Sequence, residues 1–190
     1  MTVLRAFVAL WPPADLVDEL ALRAAAAAKT REGRDLRLTA PHRLHLTCVF
    51  LGDVLTSHLG ELADRLEVVA ANATAQRLSI ARAGHFGDRV LWAAPADPVD
   101  GLKSLAKAIR VATREAGLAV QGNEFVPHVT VARTREAAVL APSAARLSES
   151  LLHDPLSWTA DDLCLVSSVR GSAPAYGVLE RWPLPPDLRA

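Results

Sequence analysis

The chain has 190 residues, 51% of them apolar, with 21 basic and 21 acidic side chains. That length allows one domain or two closely joined lobes with a proper core. The balanced charge excludes the broad basic surface of a protein that grips long duplex nucleic acid, and the apolar share excludes disorder as the main state.

In chain order, Thr2 to Leu10 is rich in β-branched and aromatic residues and reads as a strand. Pro12, Pro13 and Ala14 then open a helical pattern to about Lys29, with Leu16, Leu20 and Leu22 near helical spacing. The opening stretch lacks the long apolar run and cleavage site of a secretory leader, and no segment reaches the roughly 18 to 20 apolar residues that span a bilayer. Asp35 to Thr39 is a loop or short strand within a crowd of basic residues, Arg31, Arg34, Arg37 and Arg43. Such a crowd suits either a solvated loop or the rim of a phosphate site.

The stretch "RLHLTCVFLGDV" from Arg43 alternates Leu44, Leu46, Cys48 and Phe50 against His45, Thr47 and Val49. Period two makes it a strand, with His45 and Thr47 on one face and the leucines in the core. Thr56 to Asn72 is a helix with Leu59, Leu62, Leu66 and Val69 on its stripe and Thr56 or Ser57 as its cap. Strands at Arg77 to Ala83 and Arg89 to Ala94 flank the turn "GHFGD". A helix from Pro98 to Ala116 closes on Gly117, and "FVPHVTVAR" forms a strand from about Pro127 to Arg133 with His128 and Thr130 on one face. A helix near Pro142 to Leu152, a strand near Thr159 to Ser167, a turn around Gly171 to Pro174 and a strand from Tyr176 to Trp182 complete the chain. The order predicts an α+β protein of two pseudo-symmetric lobes of antiparallel sheet with outer helices. Each half carries one His-x-Thr strand, and the active-site cleft lies between them.

Six histidines and ten threonines would give about 0.3 His-x-Thr triplets by chance, yet two occur, 83 positions apart. Facing each other across a cleft, two imidazoles could take and give a proton on one small ligand. Two threonine hydroxyls and a guanidinium would donate hydrogen bonds to oxygens where charge grows. This is the equipment for in-line attack on a phosphodiester, and it calls for no metal or other cofactor. His42 and His45 form an H-x-x-H that points to opposite faces of a strand, which argues against a metal site. Cys48 and Cys164 read as buried free thiols, fitting a reducing cytoplasm, and Cys48 on the core side argues against a nucleophile.

These motifs, together with "LRAFVALWPP", "RVLWAAP", "GNEFVPHVTVAR" and "LVSSVRGSAPAYGVLERWPL", span nearly the whole chain. The ordered set resembles the two-histidine phosphoesterase superfamily, and within it the LigT-like RNA 2′,3′-cyclic phosphodiesterases once named 2′-5′ RNA ligases. The resemblance implies an enzyme that opens RNA 2′,3′-cyclic phosphate ends to 2′-phosphates and can run backward to a 2′-5′ linkage. It implies His45 as the acid on O3′, His128 as the base on water, and Thr47, Thr130 and Arg133 as phosphate contacts. Arg133 stands on the opposite parity from Thr130, so its role requires the strand to end or bulge there. Arg43 shares the face of His45 two residues on, as a phosphate or RNA contact or as a solvated arginine. Phe86 and Trp92 flank the hairpin, as structural aromatics or as a ring for the terminal base. Ser168 and Tyr176 read as structure that closes the sheet.

The expected partner is RNA with a 2′,3′-cyclic phosphate terminus or a small nucleotide cyclic phosphate, with no membrane, no metal and a monomeric protein. Other readings are a phosphodiesterase for another cyclic phosphate or for 2′-5′ oligonucleotides, and a non-catalytic binder of RNA ends.

Overall fold

The computed structural model describes residues 2–29, 36–96, 98–120, 125–169 and 176–187. Among them, alternating segments form strands β1 (Val3–Leu10), β2 (Arg37–Leu38), β3 (Leu46–Leu55), β4 (Gln76–Phe86), β5 (Val90–Pro95), β6 (Val129–Arg133), β7 (Leu156–Ala160), β8 (Asp162–Ser168) and β9 (Tyr176–Pro183). Segments with apolar residues every three or four positions form helices α1 (Ala14–Ala28), α2 (Leu59–Asn72), α3 (Asp100–Glu115) and α4 (Leu140–His153). Their buried stripes read Leu16, Val17, Leu20, Ala24 and Ala27 in α1 and Leu102, Leu105, Ala106, Ile109 and Ala112 in α3.

Some boundaries depart from the sequence pattern. Leu22 lies off the α1 stripe and is exposed. Thr56 and Ser57 make no side-chain cap, because a 3-10 turn over Thr56–His58 leads into α2 instead. Gly117 does end α3 as expected, at φ +75°; its N–H donates to the Arg114 carbonyl and that of Leu118 to the Thr113 carbonyl. The single strand expected over Thr159 to Ser167 is two, because the chain turns at Asp161: β7 pairs with β4, and β8 pairs with β1. The turn expected at Gly171 to Pro174 lies outside the described residues.

All strand pairs are antiparallel, in the order β7-β4-β5-β6-β3-β1-β8-β9, with β2 added beside β6. Two four-stranded halves therefore meet at β6 and β3, joined through the pair Leu46 and Val129, both fully buried. The α+β class with antiparallel sheet and covering helices is as the sequence predicts. The halves are not contiguous in the chain, however. One contains β1 and β3 with the late strands β8 and β9, and the other contains β4 to β7. The helices cross as well: α1 follows β1 but packs on β6, β7 and α4, while α3 follows β5 but packs on β3 and α2. Neither half can assemble without segments that belong to the other's stretch of chain, so the core is one continuous cluster from Ala6 to Leu184. A second, small cluster of Phe7, Ala9, Cys164 and Val166 lies apart from it, with Trp11 and Tyr176 against it. It belongs to the other face of β1, where the histidines are found.

Candidate active site

The inner strands of the two halves carry the His-x-Thr motifs, and their antiparallel pairing gives the motifs a local two-fold relation. One step to either side of Leu46 and Val129 stand His45 with Thr130 and Thr47 with His128. Diagonal positions in such a pair lie roughly 7–8 Å apart, a span that fits a phosphate group between the rings.

Both imidazoles are held in the same way. His45 Nδ1 lies 2.7 Å from the Arg43 carbonyl, and His128 Nδ1 lies 2.7 Å from the Val126 carbonyl, in each case two residues back. A carbonyl can only accept, so Nδ1 carries the hydrogen and Nε2 keeps the lone pair of the neutral ring. Local sequence explains both anchors. A 3-10 turn over Pro41–Arg43 presents one carbonyl, and Pro127 holds Val126 extended to present the other.

The parity objection to Arg133 is removed by a bulge. Trp92 pairs with Thr130 and Leu91 with Ala132, so Val131 is an extra residue in β6, and Val90 pairs with Arg133. Val90 and Trp92 share a face of β5, hence Arg133 returns to the face of Thr130. The Thr39 N–H donates to the Val131 carbonyl at 2.8 Å and so satisfies the bulged backbone. Beside it, Arg37 of β2 stands directly opposite Arg133. Like charges in that position repel, and an anion placed there relieves the repulsion. Arg31 and Arg34 of the same basic crowd lie outside the described residues.

Bulges also change β3. Extra residues at Cys48 and Leu51 interrupt its pairing with β1, so Val49 turns into the core and Phe50 turns out beside Phe7. The alternation had placed these two residues the other way round. Phe50 is 49% exposed, with its ring centroid 6.2 Å from that of Phe7. Cys48 and Cys164 are buried and free as expected, and burial pushes the Cys48 thiol up to about 12.

Aromatic rings surround the histidines unequally. His45 lies nearly parallel to Phe7 and Trp11, at 4.7 and 4.8 Å between centroids, and Tyr176 meets it edge-on at 5.4 Å. Arg43 belongs to the 3-10 turn rather than to the strand, yet it does reach the site: its guanidinium lies 5.3 Å from the centre of the Tyr176 ring. Its Nε is buried and makes no hydrogen bond among the described residues. Among the described residues His128 has one aromatic neighbour, Phe86, edge-on at 4.8 Å, with Trp92 behind Phe86 at 5.3 Å. Trp92 lies across Gly84, where an added Cβ would overlap the indole, so this close approach needs glycine.

Burial lowers the His45 pKa to about 4; the hydrogen bond to Arg43 opposes the fall, and the charges of His128 and Arg43 add to it. Burial likewise lowers His128, opposed by its carbonyl anchor and aided by Arg133. In the protein alone both rings are therefore mainly neutral at pH 7. The charge of His128 thus acts on His45 and that of Arg133 on His128, which links the three electrostatically.

The predicted residues His45, Thr47, His128, Thr130, Arg133, Arg43 and Phe86 thus come to one region. Phe7, Trp11, Phe50 and Tyr176 join them without having been singled out for the site. Period two in "RAFVALW" already aligns Phe7, Ala9 and Trp11 on one face, which was the available signal. Tyr176 does close the sheet opposite Ser168, as expected, and also reaches the His45 ring. Among the described residues no three His, Cys, Asp or Glu side chains are grouped so as to hold a metal, and no helix is long and apolar enough to cross a membrane.

Residues 8–172 match the model of the 2′-5′ RNA ligase superfamily. The RNA 2′,3′-cyclic phosphodiesterase of Escherichia coli (strain K12) is 30% identical over 185 residues, 95% of this chain and 96% of that protein. A Geobacillus stearothermophilus protein of the same name is 27% identical over 145 residues; there the match spans 74% of this chain but 45% of the relative. The crystal structure of E. coli LigT in apo form matches with a TM-score of 0.75 at 26% identity, covering 97% of this chain and 99% of that one.

Proposed function

The chain belongs to the 2′-5′ RNA ligase superfamily, and from that premise we propose that it hydrolyses RNA 2′,3′-cyclic phosphate ends to 2′-phosphates by acid-base catalysis between His45 and His128. The observation that carries this reading is the duplicated anchor, which ties each Nδ1–H to a carbonyl and leaves each Nε2 free for proton transfer. The E. coli and G. stearothermophilus relatives named RNA 2′,3′-cyclic phosphodiesterase support the substrate class.

In the proposed reaction the cyclic phosphate lies between the two rings. Neutral His128 takes a proton from water through Nε2 as the water oxygen bonds to phosphorus. The bond from phosphorus to O3′ breaks, and His45 gives its Nε2 proton to O3′. The product has a 2′-phosphate and a free 3′-hydroxyl, and solvent exchange returns each ring to its starting state. Thr47 and Thr130 donate to the non-bridging oxygens, and Arg133 neutralises the charge that grows on them. No step needs a metal ion. By microscopic reversibility the same groups run the step backward, with a ribose hydroxyl as the nucleophile in place of water being the 2′-5′ ligation route. Phe86 and Phe50 supply exposed ring surface on which the terminal base stacks.

Acting as an acid, His45 must hold a proton that its surroundings disfavour. The anionic phosphodiester helps by raising the pKa of both imidazoles, and the parallel Phe7 and Trp11 faces favour the cation. In the free protein the competent form has His45 protonated and His128 neutral. The kcat/KM profile, which reports free-enzyme groups, should be a bell with its maximum between about pH 4 and 6.5, acid of an unperturbed histidine pair. The kcat profile should lie at higher pH than kcat/KM. A turnover rate flat across pH 4 to 8 would contradict acid-base catalysis. RNA binding without turnover at any pH would favour a binder of RNA ends.

A further inference from the structure

The two histidine anchors are alike in geometry and unlike in side chain. The carbonyl that holds His45 belongs to Arg43, and the one that holds His128 belongs to Val126. Val126 shows that the anchor makes no demand on the side chain that carries it, so an arginine at the equivalent place has another reason. Arg43 is also held unlike a surface arginine. The 3-10 turn fixes its backbone: its N–H donates to the Ala40 carbonyl and that of Leu44 to the Pro41 carbonyl, both at 2.9 Å. Leu44 beside it is fully buried, and the Arg43 guanidinium lies over the Tyr176 ring. Its Nε is out of water without a hydrogen bond, the only arginine nitrogen so placed among the described residues. A buried donor without an acceptor calls for an explanation, and an anion drawn onto this guanidinium is held more strongly for the missing water.

The direction of the proposed reaction says which anion that is. Water attacks from the side of His128 and O3′ departs toward His45, so the ribose that keeps O3′ lies on the His45 side of phosphorus. Tyr176 meets the His45 ring edge-on and carries Arg43 over its own face, which puts this cation beside the ribose. The charge of Arg43 acts on His45, whereas the charge of Arg133 acts on His128, so the two guanidiniums are not interchangeable. An RNA end differs from a nucleoside 2′,3′-cyclic phosphate by one anion on that ribose, the phosphodiester on its O5′.

We propose that Arg43, seated on Tyr176, is a specificity residue that binds the 5′-phosphodiester of the terminal nucleotide and so selects an RNA end over a nucleoside 2′,3′-cyclic phosphate. This rests on the cyclic phosphodiesterase reading for the placement of the ribose. Arg133 meets the phosphate that reacts, and Arg43 meets the phosphate that does not.

The test compares a dinucleotide ending in a 2′,3′-cyclic phosphate, the same dinucleotide with an uncharged methylphosphonate as its internal linkage, and the nucleoside 2′,3′-cyclic phosphate. In wild type, removing the charge of the linkage should raise KM roughly fivefold or more with kcat little changed, for the loss of one charge-assisted hydrogen bond. R43Q keeps the backbone carbonyl that anchors His45 and should treat the two dinucleotides alike, within about twofold. The ratio of kcat/KM for the charged dinucleotide over the nucleoside substrate should fall in R43Q by the same factor. That ratio cancels whatever the lost charge does to His45, because both substrates use the ring. A wild type indifferent to the charge of the linkage, or an R43Q that keeps the preference, would overturn the proposal. Calorimetric binding of the two dinucleotide 2′-phosphates, charged and methylphosphonate, reads the same contact without turnover. A charge preference in binding that R43Q loses, in a protein that turns over none of the substrates, would uphold the contact and overturn the cyclic phosphodiesterase reading instead.

Discussion

Replacing His128 by alanine should lower turnover of a 2′,3′-cyclic phosphate RNA by 10² to 10⁴, the usual contribution of a positioned acid or base, and replacing His45 should do the same. Each ring offers one free Nε2, held by a 2.7 Å anchor to a backbone carbonyl, and no other described histidine takes part in this pairing. His42 and His58 belong to 3-10 turns, and His85 Nδ1 is held by the Gly87 carbonyl in the hairpin. The double variant should be scarcely worse than the poorer single one, because two groups that act together in one displacement step lose their joint contribution once either is gone. Steady-state kinetics on folded variants checks this. Near-normal turnover in either single variant would refute the pairing, and two fully multiplicative losses would mean that the rings act in separate steps.

Arg133→Met should lower kcat/KM by roughly 10- to 150-fold, since hydrogen bonds to a charged group are worth about 1.5–3 kcal/mol. The side chain is exposed and is brought to the site face only by the extra residue Val131, so its loss costs the fold little. It also has a signature that a structural role lacks. Arg133 lowers the His128 pKa, so its removal should raise the His128 titration midpoint in NMR and move the kcat/KM profile toward higher pH. Thr130→Ala should leave that midpoint in place and cost less in rate, because it removes one neutral donor. A rate within twofold of wild type for Arg133→Met would mean that the guanidinium does not meet the phosphate.

The pairing of the two motifs was legible because it rests on period two alone: His45 with Thr47 and His128 with Thr130 share faces however the strands are ordered. The face of Arg133 and that of Phe50 depend on bulges, which insert a residue and reverse parity. Nothing local in "VTVAR" or "TCVFLG" marks the inserted residue, since Val131, Cys48 and Leu51 are all apolar and all buried. Tyr176 reaches His45 through β9 and β8, an association of residues more than a hundred positions apart. Likewise the division at Asp161 and the crossing of α1 and α3 between halves follow from which sheet edges need covering, a property of the assembled fold.

The most direct test of the central claim is the product made by wild-type protein, with EDTA present, from a short RNA ending in a 2′,3′-cyclic phosphate. The proposed roles of His45 and His128 predict a 2′-phosphate beside a free 3′-hydroxyl, made by wild type and absent with the double His45→Ala, His128→Ala variant. A 3′-phosphate product, or the same product from the double variant, would contradict the account.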